Sequence, residues 1–315
     1  MRVLFAGTPV VALPALHHLL QSQHEVVGVL TRAPAPRGRG RTLHPSPVGE
    51  AAAEAGLPVL TPRTLRDDDV VEEIRELGAD VAAVVAYGLL VPPPALAATA
   101  HGWVNLHFSL LPAYRGAAPV QHALLAGEDV TGATTFLLDE GLDTGPVLAT
   151  MTETIQPTDT SGALLDRLSV AGARLLTRSL ETLVSGLIDP APQSALGVST
   201  APKLDPSDGL LDLDAPAERI DRVARATTPS PGPWTTLPDG SRLKLRPFTL
   251  RPDVTDLAPG ELRETRRDVL VGTATHALQL TELAPAGKSW MAADAWARGA
   301  RLEAGDRLGA HRPGA

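Results

Sequence analysis

The sequence predicts an α/β chain: a Rossmann-like, doubly wound, mostly parallel sheet, followed by a small OB-like β-barrel. Three observations support this. Apolar runs at residues 3–6 and 80–86 have the length and continuity of strands buried on both faces. They alternate with amphipathic helical stretches, the pattern of a parallel sheet covered on both sides. Beyond residue 216 the apolar runs shorten and are punctuated by turn residues, which suits a small barrel.

Residues 3–6 form the first strand, Gly7-Thr8-Pro9 a turn, 10–20 a helix and 26–31 a second strand. A helix over 50–55, a short strand at 59–60 and a helix over 68–77 follow, before the strand at 80–86 ends in Tyr87-Gly88. Residues 103–108 are a strand, 118–126 a helix, and 132–138 and 146–152 two strands flanking a loop that holds Asp143. Residues 161–186 carry Leu164, Leu168, Leu175, Leu176, Leu180 and Leu183 at helical spacing, with Gly186 as the stop. Residues 187–209 mix Pro, Ser and Asp without periodicity and read as a linker between domains at 1–186 and 210–315. A helix over 216–227 precedes strands at 234–237, 243–245, 268–272 and 277–283.

A chain of 315 residues with 43% hydrophobic content has enough material for two cores. No run approaches the roughly 18–20 apolar residues of a membrane span, and the opening apolar stretch is too brief for a signal peptide. The cytoplasm is the expected compartment and no membrane partner is expected. The absence of cysteine excludes a thiol nucleophile and Cys-based metal sites. Residues 1–234 carry 16 basic and 26 acidic groups, while 235–315 carry 12 and 10. A weakly basic tail beside an acidic body permits a polyanionic partner there.

The strand over 103–108 alternates its side chains, so Asn105, His107 and Ser109 share one face, opposite Val104, Leu106 and Phe108. A polar triplet facing an apolar one, running into the Pro112 loop, suits the wall of an active site. With Asp143 on a second loop it supplies an amide, an imidazole and a carboxylate, which suit attack on a carbonyl by a nitrogen or oxygen nucleophile. Ligands on such sheets bind beyond the carboxyl ends of the strands, here Gly7-Thr8-Pro9, Ala86-Tyr87-Gly88 and His107-Phe108-Ser109. Gly7 stands without the further glycines of a dinucleotide fingerprint, and neither a P-loop nor a His-Glu-x-x-His zinc helix is present. No metal is expected. Arg37, Arg39 and Arg41, separated by glycines, make a basic loop that reads either as a solvated surface or as a device for phosphates and base edges.

Phe5-Ala6-Gly7-Thr8-Pro9, His107–Pro112 with Tyr114-Arg115-Gly116-Ala117-Ala118-Pro119, and Gly141-Leu142-Asp143-Thr144-Gly145 resemble the methionyl-tRNA formyltransferase family of folate-dependent formyltransferases. The likeness continues through Arg39-Gly40-Arg41, His44-Pro45-Ser46-Pro47-Val48, residues 229–234 and Gly287-Lys288. The resemblance implies an enzyme that moves formyl from 10-formyltetrahydrofolate to the α-amino group of methionine on initiator tRNA, for translation initiation. It makes 1–186 the catalytic domain and 210–315 a tRNA-binding domain. It implies Asn105, His107 and Asp143 as catalytic residues. Ser109, Leu110, Leu111 and Pro112 are then expected to line the folate site, with Tyr87, Gly88, Leu89, Leu138, Asp139 and Glu140 around the pterin. Arg37, Arg39, Arg41, Lys244, Arg246 and Lys288 are expected to meet tRNA. The expected partners are initiator Met-tRNA and tetrahydrofolate, with the protein a monomer. The alternative keeps the chemistry and changes the acceptor to a nucleotide or sugar-nucleotide amine.

Overall fold

The computed structural model describes residues 1–37, 42–265, 268–300 and 306–310. The chain forms two compact units. The first comprises Met1–Pro119, Val130–Thr154 and Leu165–Pro202; the second comprises Val120–Asp129, Ile155–Leu164 and Lys203–Ala315.

In chain order the elements are β1 (Arg2–Gly7), α1 (Leu13–Leu20), β2 (Glu25–Leu30), β3 (Ala35–Arg37), β4 (Thr42–His44), α2 (Pro47–Glu54), β5 (Val59–Leu60), α3 (Asp68–Glu76) and β6 (Val81–Val85). Then come α4 (Pro93–Leu96), β7 (Trp103–His107), α5 (Pro119–Ala126), β8 (Val130–Leu137), β9 (Val147–Thr154) and α6 (Ser161–Val184). The main sheet runs β5-β2-β1-β6-β7-β8-β9. Its first five strands are parallel, and β8 and β9 are antiparallel additions, giving the mostly parallel sheet expected. The chain winds outward from β1 through β2 to β5, then returns to β6 on the other side. The switch therefore lies between β1 and β6, where the Thr8 hydroxyl donates to the Tyr87 carbonyl at 2.9 Å.

Buried residues explain the strands. Val3, Leu4, Phe5 and Ala6 are fully buried, as are Val81, Ala82 and Ala83. One face of the sheet presents Leu4, Ala6, Ala82, Val84 and Trp103 to a core shared with Val71 and Ile74 of α3 and Ala95 of α4. Burying each large side chain contributes about 1.5–3 kcal/mol. Two helix boundaries differ from expectation for local reasons. The helix expected over 10–20 begins as a 3-10 turn at Val10–Ala12, and α1 starts so that Pro14 falls in its first turn. The helix expected over 50–55 starts at Pro47, because the Ser46 hydroxyl caps it, accepting from the Gly49 amide at 2.9 Å.

In the second unit, α7 (Ala217–Thr227) is followed by β10 (Trp234–Thr236), β11 (Arg242–Leu245), β12 (Thr249–Arg251), β13 (Leu262–Glu264), β14 (Val269–Val271), β15 (Ala277–Leu280), β16 (Glu282–Pro285), β17 (Met291–Ala292) and α8 (Ala293–Ala300). Two antiparallel sheets, β10-β11-β16-β17 and β12-β15-β14-β13, share one core of Leu243, Leu245 and Leu283 with Val269, Val271, Leu278 and Leu280. The single strand expected over 277–283 is two strands. The chain changes sheet at Thr281, whose carbonyl accepts from Ala293 rather than from a ladder partner.

The fully buried Trp103 donates its indole N–H to the Ala95 carbonyl at 2.8 Å. Trp103→Phe removes that bond, leaving the Ala95 carbonyl the Ala98 amide at 3.0 Å, and empties part of the buried indole's space, so it should destabilise the protein by about 1–3 kcal/mol. Urea unfolding checks this; an unchanged midpoint would show that the bond contributes nothing.

Candidate active site

Strand β7 carries Asn105 and His107 between β6 and β8, with Asn105 opposite Val84 on one side and Phe136 on the other. His107 is 6% exposed and meets the Phe136 ring edge-on. Its Nε2 lies 2.9 Å from the Tyr114 carbonyl oxygen. A carbonyl can only accept, so Nε2 carries the hydrogen, and in the neutral ring Nδ1 holds the lone pair. Nδ1 stands 3.7 Å from Asp143 Oδ2, beyond hydrogen-bond reach and well within electrostatic range. Burial lowers the His107 pKa more than the Asp143 charge and the Tyr114 carbonyl raise it, so the ring is neutral at neutral pH. The one ring nitrogen open to chemistry therefore faces a carboxylate.

The loop after β7 is held by its own polar groups. Ser109 is fully buried and donates its hydroxyl to the Ala113 carbonyl at 2.6 Å. Thr134 of β8 donates to the Ser109 carbonyl at 2.7 Å and accepts from the Leu111 amide at 3.1 Å. Leu111–Pro112 is a cis peptide. Tyr114 sits in the left-handed region at φ 61°, a conformation that costs a non-glycine residue about 1–3 kcal/mol. Residues 199–201 hold it there. The Tyr114 amide donates to Ser199 Oγ at 2.9 Å, the Arg115 amide to the Ser199 carbonyl at 2.9 Å, and the Ala201 amide to the Arg115 carbonyl at 2.7 Å. The Gly116 amide then donates to Asp143 Oδ2 at 2.7 Å. Only glycine fits there: φ is +125°, and a Cβ would sit 2.7 Å from the Ala201 carbonyl oxygen.

Asp143 also adopts a positive φ, 53°, in a turn shaped by Asp139, whose Oδ1 accepts from the Gly141 amide at 3.0 Å and from the Thr144 hydroxyl at 2.7 Å. Gln193 donates to the carbonyls of Asp143 and Gly145 at 2.8 Å each and accepts from Arg115. Asn105 differs from all of these. It is half-buried, and among the described residues its side-chain amide makes no hydrogen bond.

The structure brings the expected residues together unevenly. His107 and Asp143 come within 3.7 Å, Asn105 lies two residues before His107 on β7, and Ser109, Leu110, Leu111 and Pro112 follow in the loop after it. Tyr87, Leu89 and Leu138 meet in the core under the strand ends, and burial pushes the Tyr87 phenol up to about 12, so it stays a neutral hydroxyl. Ala86 (φ 49°), Gly88, Asp139 and Glu140 expose backbone at those ends. Arg39 and Arg41 lie outside the described residues, and Arg37 ends β3, pairing with Thr42 of β4. Lys244 and Lys288 are exposed, and Arg246 stacks 4.2 Å over the Trp290 ring. Arg242, not singled out by the sequence, shares the Lys244 and Arg246 side of β11. It lies 4.0 Å over the Trp234 ring, and its buried Nε has no partner among the described residues. These three basic residues, Trp290 and the prolines of residues 229–233 line a groove of about 230 Å³. Arg115 stands in the Tyr114–Pro119 motif with no role expected of it, and Gln193 lies in the stretch expected to be a linker. Gln193 gives no signal in the sequence, since its partners, two main-chain carbonyls and the Arg115 guanidinium, lie about 50 to 80 residues away along the chain.

Comparison with known proteins agrees with this architecture. A family model described as formyl transferase matches residues 1–180, and one described as formyl transferase, C-terminal domain, matches residues 203–301. The methionyl-tRNA formyltransferase of Acidothermus cellulolyticus is 55% identical over 98% of this chain and 100% of its own. That of Streptomyces coelicolor is 54% identical over the same shares, and that of Pseudarthrobacter chlorophenolicus 57% identical over 95% of this chain and 97% of its own. Among solved structures, a variant of HypX from Aquifex aeolicus superposes with a TM-score of 0.67 at 17% identity, over 95% of this chain and 47% of HypX. This chain thus spans about half the length of HypX. An N-formyltransferase from Helicobacter canadensis, solved with folinic acid and dTDP-3-aminofucose, gives a TM-score of 0.64 at 15% identity over 88% of this chain and 97% of its own. Those two similarities establish the fold, while the full-length relatives establish the lineage: the chain belongs to the formyl transferase family, among the methionyl-tRNA formyltransferases.

Proposed function

We propose that this protein transfers a formyl group from 10-formyltetrahydrofolate to the α-amino group of methionine carried by initiator tRNA. The observation that carries the reading is the full-length identity, 54–55% across both domains, to relatives named for that activity. The same identity disfavours a nucleotide or sugar-nucleotide amine as acceptor, and the 3.7 Å approach of His107 to Asp143, with Asn105 on the same strand as His107, supports the chemistry.

The α-amino group, with an ordinary pKa near 8, is partly neutral at neutral pH and can attack without a strong base. Its nitrogen bonds to the formyl carbon while the carbonyl pair moves onto oxygen. The bond from that carbon to the folate nitrogen then breaks, and that nitrogen takes the proton the amine has lost. Asn105, whose amide has no competing partner, donates to the oxyanion, where such a donor is commonly worth ~3 kcal/mol. His107 Nδ1 takes up the amine proton, with Asp143 stabilising the imidazolium, and the proton passes on to the departing nitrogen. The exposed residues Ala86, Gly88, Asp139 and Glu140 offer main-chain edges of the kind a pterin requires, while Leu110, Leu111 and Pro112 offer it an apolar wall. Ser109 holds that wall through its bond to Ala113. The expected split at 186 is moved: the proposed catalytic domain takes in residues 187–202, which pair with Val147 and Arg115, the connecting segment begins at Lys203, and 210–315 is the proposed tRNA-binding domain. The Arg37–Arg41 loop and the groove bearing Arg242, Lys244, Arg246 and Trp290, with Lys288 nearby in sequence, are the proposed tRNA contacts. Among the described residues no helix is long and apolar enough to cross a membrane. A cytoplasmic monomer, without a metal, is the proposed working form.

Three outcomes test this reading. His107→Ala, Asp143→Ala or Asn105→Ala should each lower kcat by ~10²–10³-fold with folding intact. Radiolabelled formyl transfer to charged initiator tRNA, against elongator tRNA and free methionine, reads this directly; retention of more than a tenth of activity would refute the assigned role. The His107 ring should titrate below 6.5 in the free protein, because burial outweighs its neighbours, and lower still in Asp143→Asn, which removes the charge favouring the imidazolium. Histidine NMR against a His107→Gln control checks both signs. Lys244→Ala or Lys288→Ala should flatten the salt dependence of tRNA binding by roughly one counterion each. An unaltered slope would move phosphate recognition elsewhere.

A further inference from the structure

We propose that Arg115 and Gln193 form a positioning pair that holds Asp143 and the Tyr114 carbonyl in register around His107. The proposal rests on the reading of His107 and Asp143 as the catalytic pair.

Three consecutive residues carry the contacts. Tyr114 offers its carbonyl to His107, Arg115 offers its guanidinium to Gln193, and Gly116 offers its amide to Asp143. Gln193 closes the circuit on the other side. Its Oε1 accepts from Arg115 Nε at 3.1 Å and Nη2 at 2.6 Å, while its Nε2 donates to the carbonyls of Asp143 and Gly145 at 2.8 Å each. All four bonding directions of the amide are therefore used, and its orientation is determined. Flipped, it would set an NH₂ against guanidinium donors and an oxygen against two carbonyl oxygens.

The device answers a specific need. Asp143 lies in no strand or helix, its neighbours Gly141 and Leu142 are exposed, and its backbone is in the left-handed region. Gln193 holds the main chain of Asp143; without it, the Gly116 amide would be, among the described residues, the one remaining hydrogen-bond donor tying Asp143 to the loop that sets the His107 tautomer. A displacement of about 1 Å in such a constellation can lower the rate ~100-fold. Among the described residues neither Arg115 nor Gln193 hydrogen-bonds to His107, so both act through the groups they hold.

The experiment uses the full-length protein with Gln193→Ala, Gln193→Glu, Arg115→Ala and the double variant Arg115→Ala/Gln193→Ala. Gln193→Glu is nearly isosteric and keeps the acceptor for Arg115, but loses both donations, so it guards against simple misfolding. We expect kcat to fall ~10–100-fold in each single variant. KM for both substrates should stay within about twofold, and the double variant should be no slower than the slower single one. Unchanged kcat, or single-variant losses that multiply in the double variant, would overturn the pairing. A second readout needs no turnover. In Gln193→Ala the His107 ring should titrate at lower pH as Asp143 is released, and an unmoved titration would likewise overturn the proposal. The wild-type rate on charged tRNA tests the acceptor separately, since the ring titration responds to the positioning pair whatever amine is formylated.

Discussion

The bond between His107 Nε2 and the Tyr114 carbonyl is the constraint on which the rest of the site depends. An imidazole in a cleft can present either nitrogen, and the two tautomers have opposite donor and acceptor patterns. Tying Nε2–H to a main-chain carbonyl removes that choice and leaves the lone pair on Nδ1, on the Asp143 side. A carbonyl can do this only if its peptide is aimed back at the strand, which puts Tyr114 at a positive φ. That conformation is unfavourable for tyrosine alone, so it persists because residues 199–201 bond to the amides and carbonyls around it. The tautomer proposed for catalysis is thus maintained by residues 199–201, far downstream in sequence.

This also explains what the sequence reveals and what it hides. Strand β7 was legible because alternation is a property of consecutive residues: Asn105 and His107 on one face, Val104 and Leu106 on the other. The parallel strands were legible through continuous burial. Helix starts were less so, since Ser46 and Pro47 set the true beginning of α2 by a cap that periodicity does not register. In the second unit, strands of two to four residues carry too few positions for a pattern, so β12, β13 and β17 left no trace and the sheet change at Thr281 read as continuity. Residues 187–202 looked like a tether because their order comes from outside: Ala191 pairs with Val147 and Thr200 with Arg115. A segment held by main-chain pairing to distant strands needs no periodicity of its own. Gln193 was hidden for the same reason.

The charged residues of the second unit follow a different logic. Arg242 and Arg246 lie over Trp234 and Trp290, with their flat guanidinium faces against the rings. Such stacking covers apolar surface and holds a flexible side chain in one orientation while leaving edge N–H groups for a partner. Burial lowers the Arg242 pKa from its ordinary value, yet it remains a cation at any physiological pH, and its buried Nε has no partner among the described residues. That buried Nε is closed to a partner outside the fold, so what the groove offers to anionic oxygens is the charge of the ordered Arg242 together with exposed Lys244.

The strongest argument about chemistry comes from contrast between neighbours. Around β7 most polar side chains are bonded: Ser109 to Ala113, Thr134 to Ser109 and Leu111, Asp139 to Gly141 and Thr144, and Gln193 to two carbonyls and the Arg115 guanidinium, while the buried Tyr87 hydroxyl has no partner among the described residues. Asn105 shares that environment and stays unbonded. A half-buried amide without a partner among the described residues gains no hydrogen bond from the fold, so bonding within the fold does not account for an asparagine at that position. The proposed role as oxyanion donor does. A donor already stripped of competing partners and fixed on a rigid strand needs no reorganisation when negative charge appears on a nearby oxygen, whereas a donor engaged elsewhere would have to break a bond first. The bonded residues keep the site's shape. Asn105, unbonded among the described residues, is the donor proposed for the reaction.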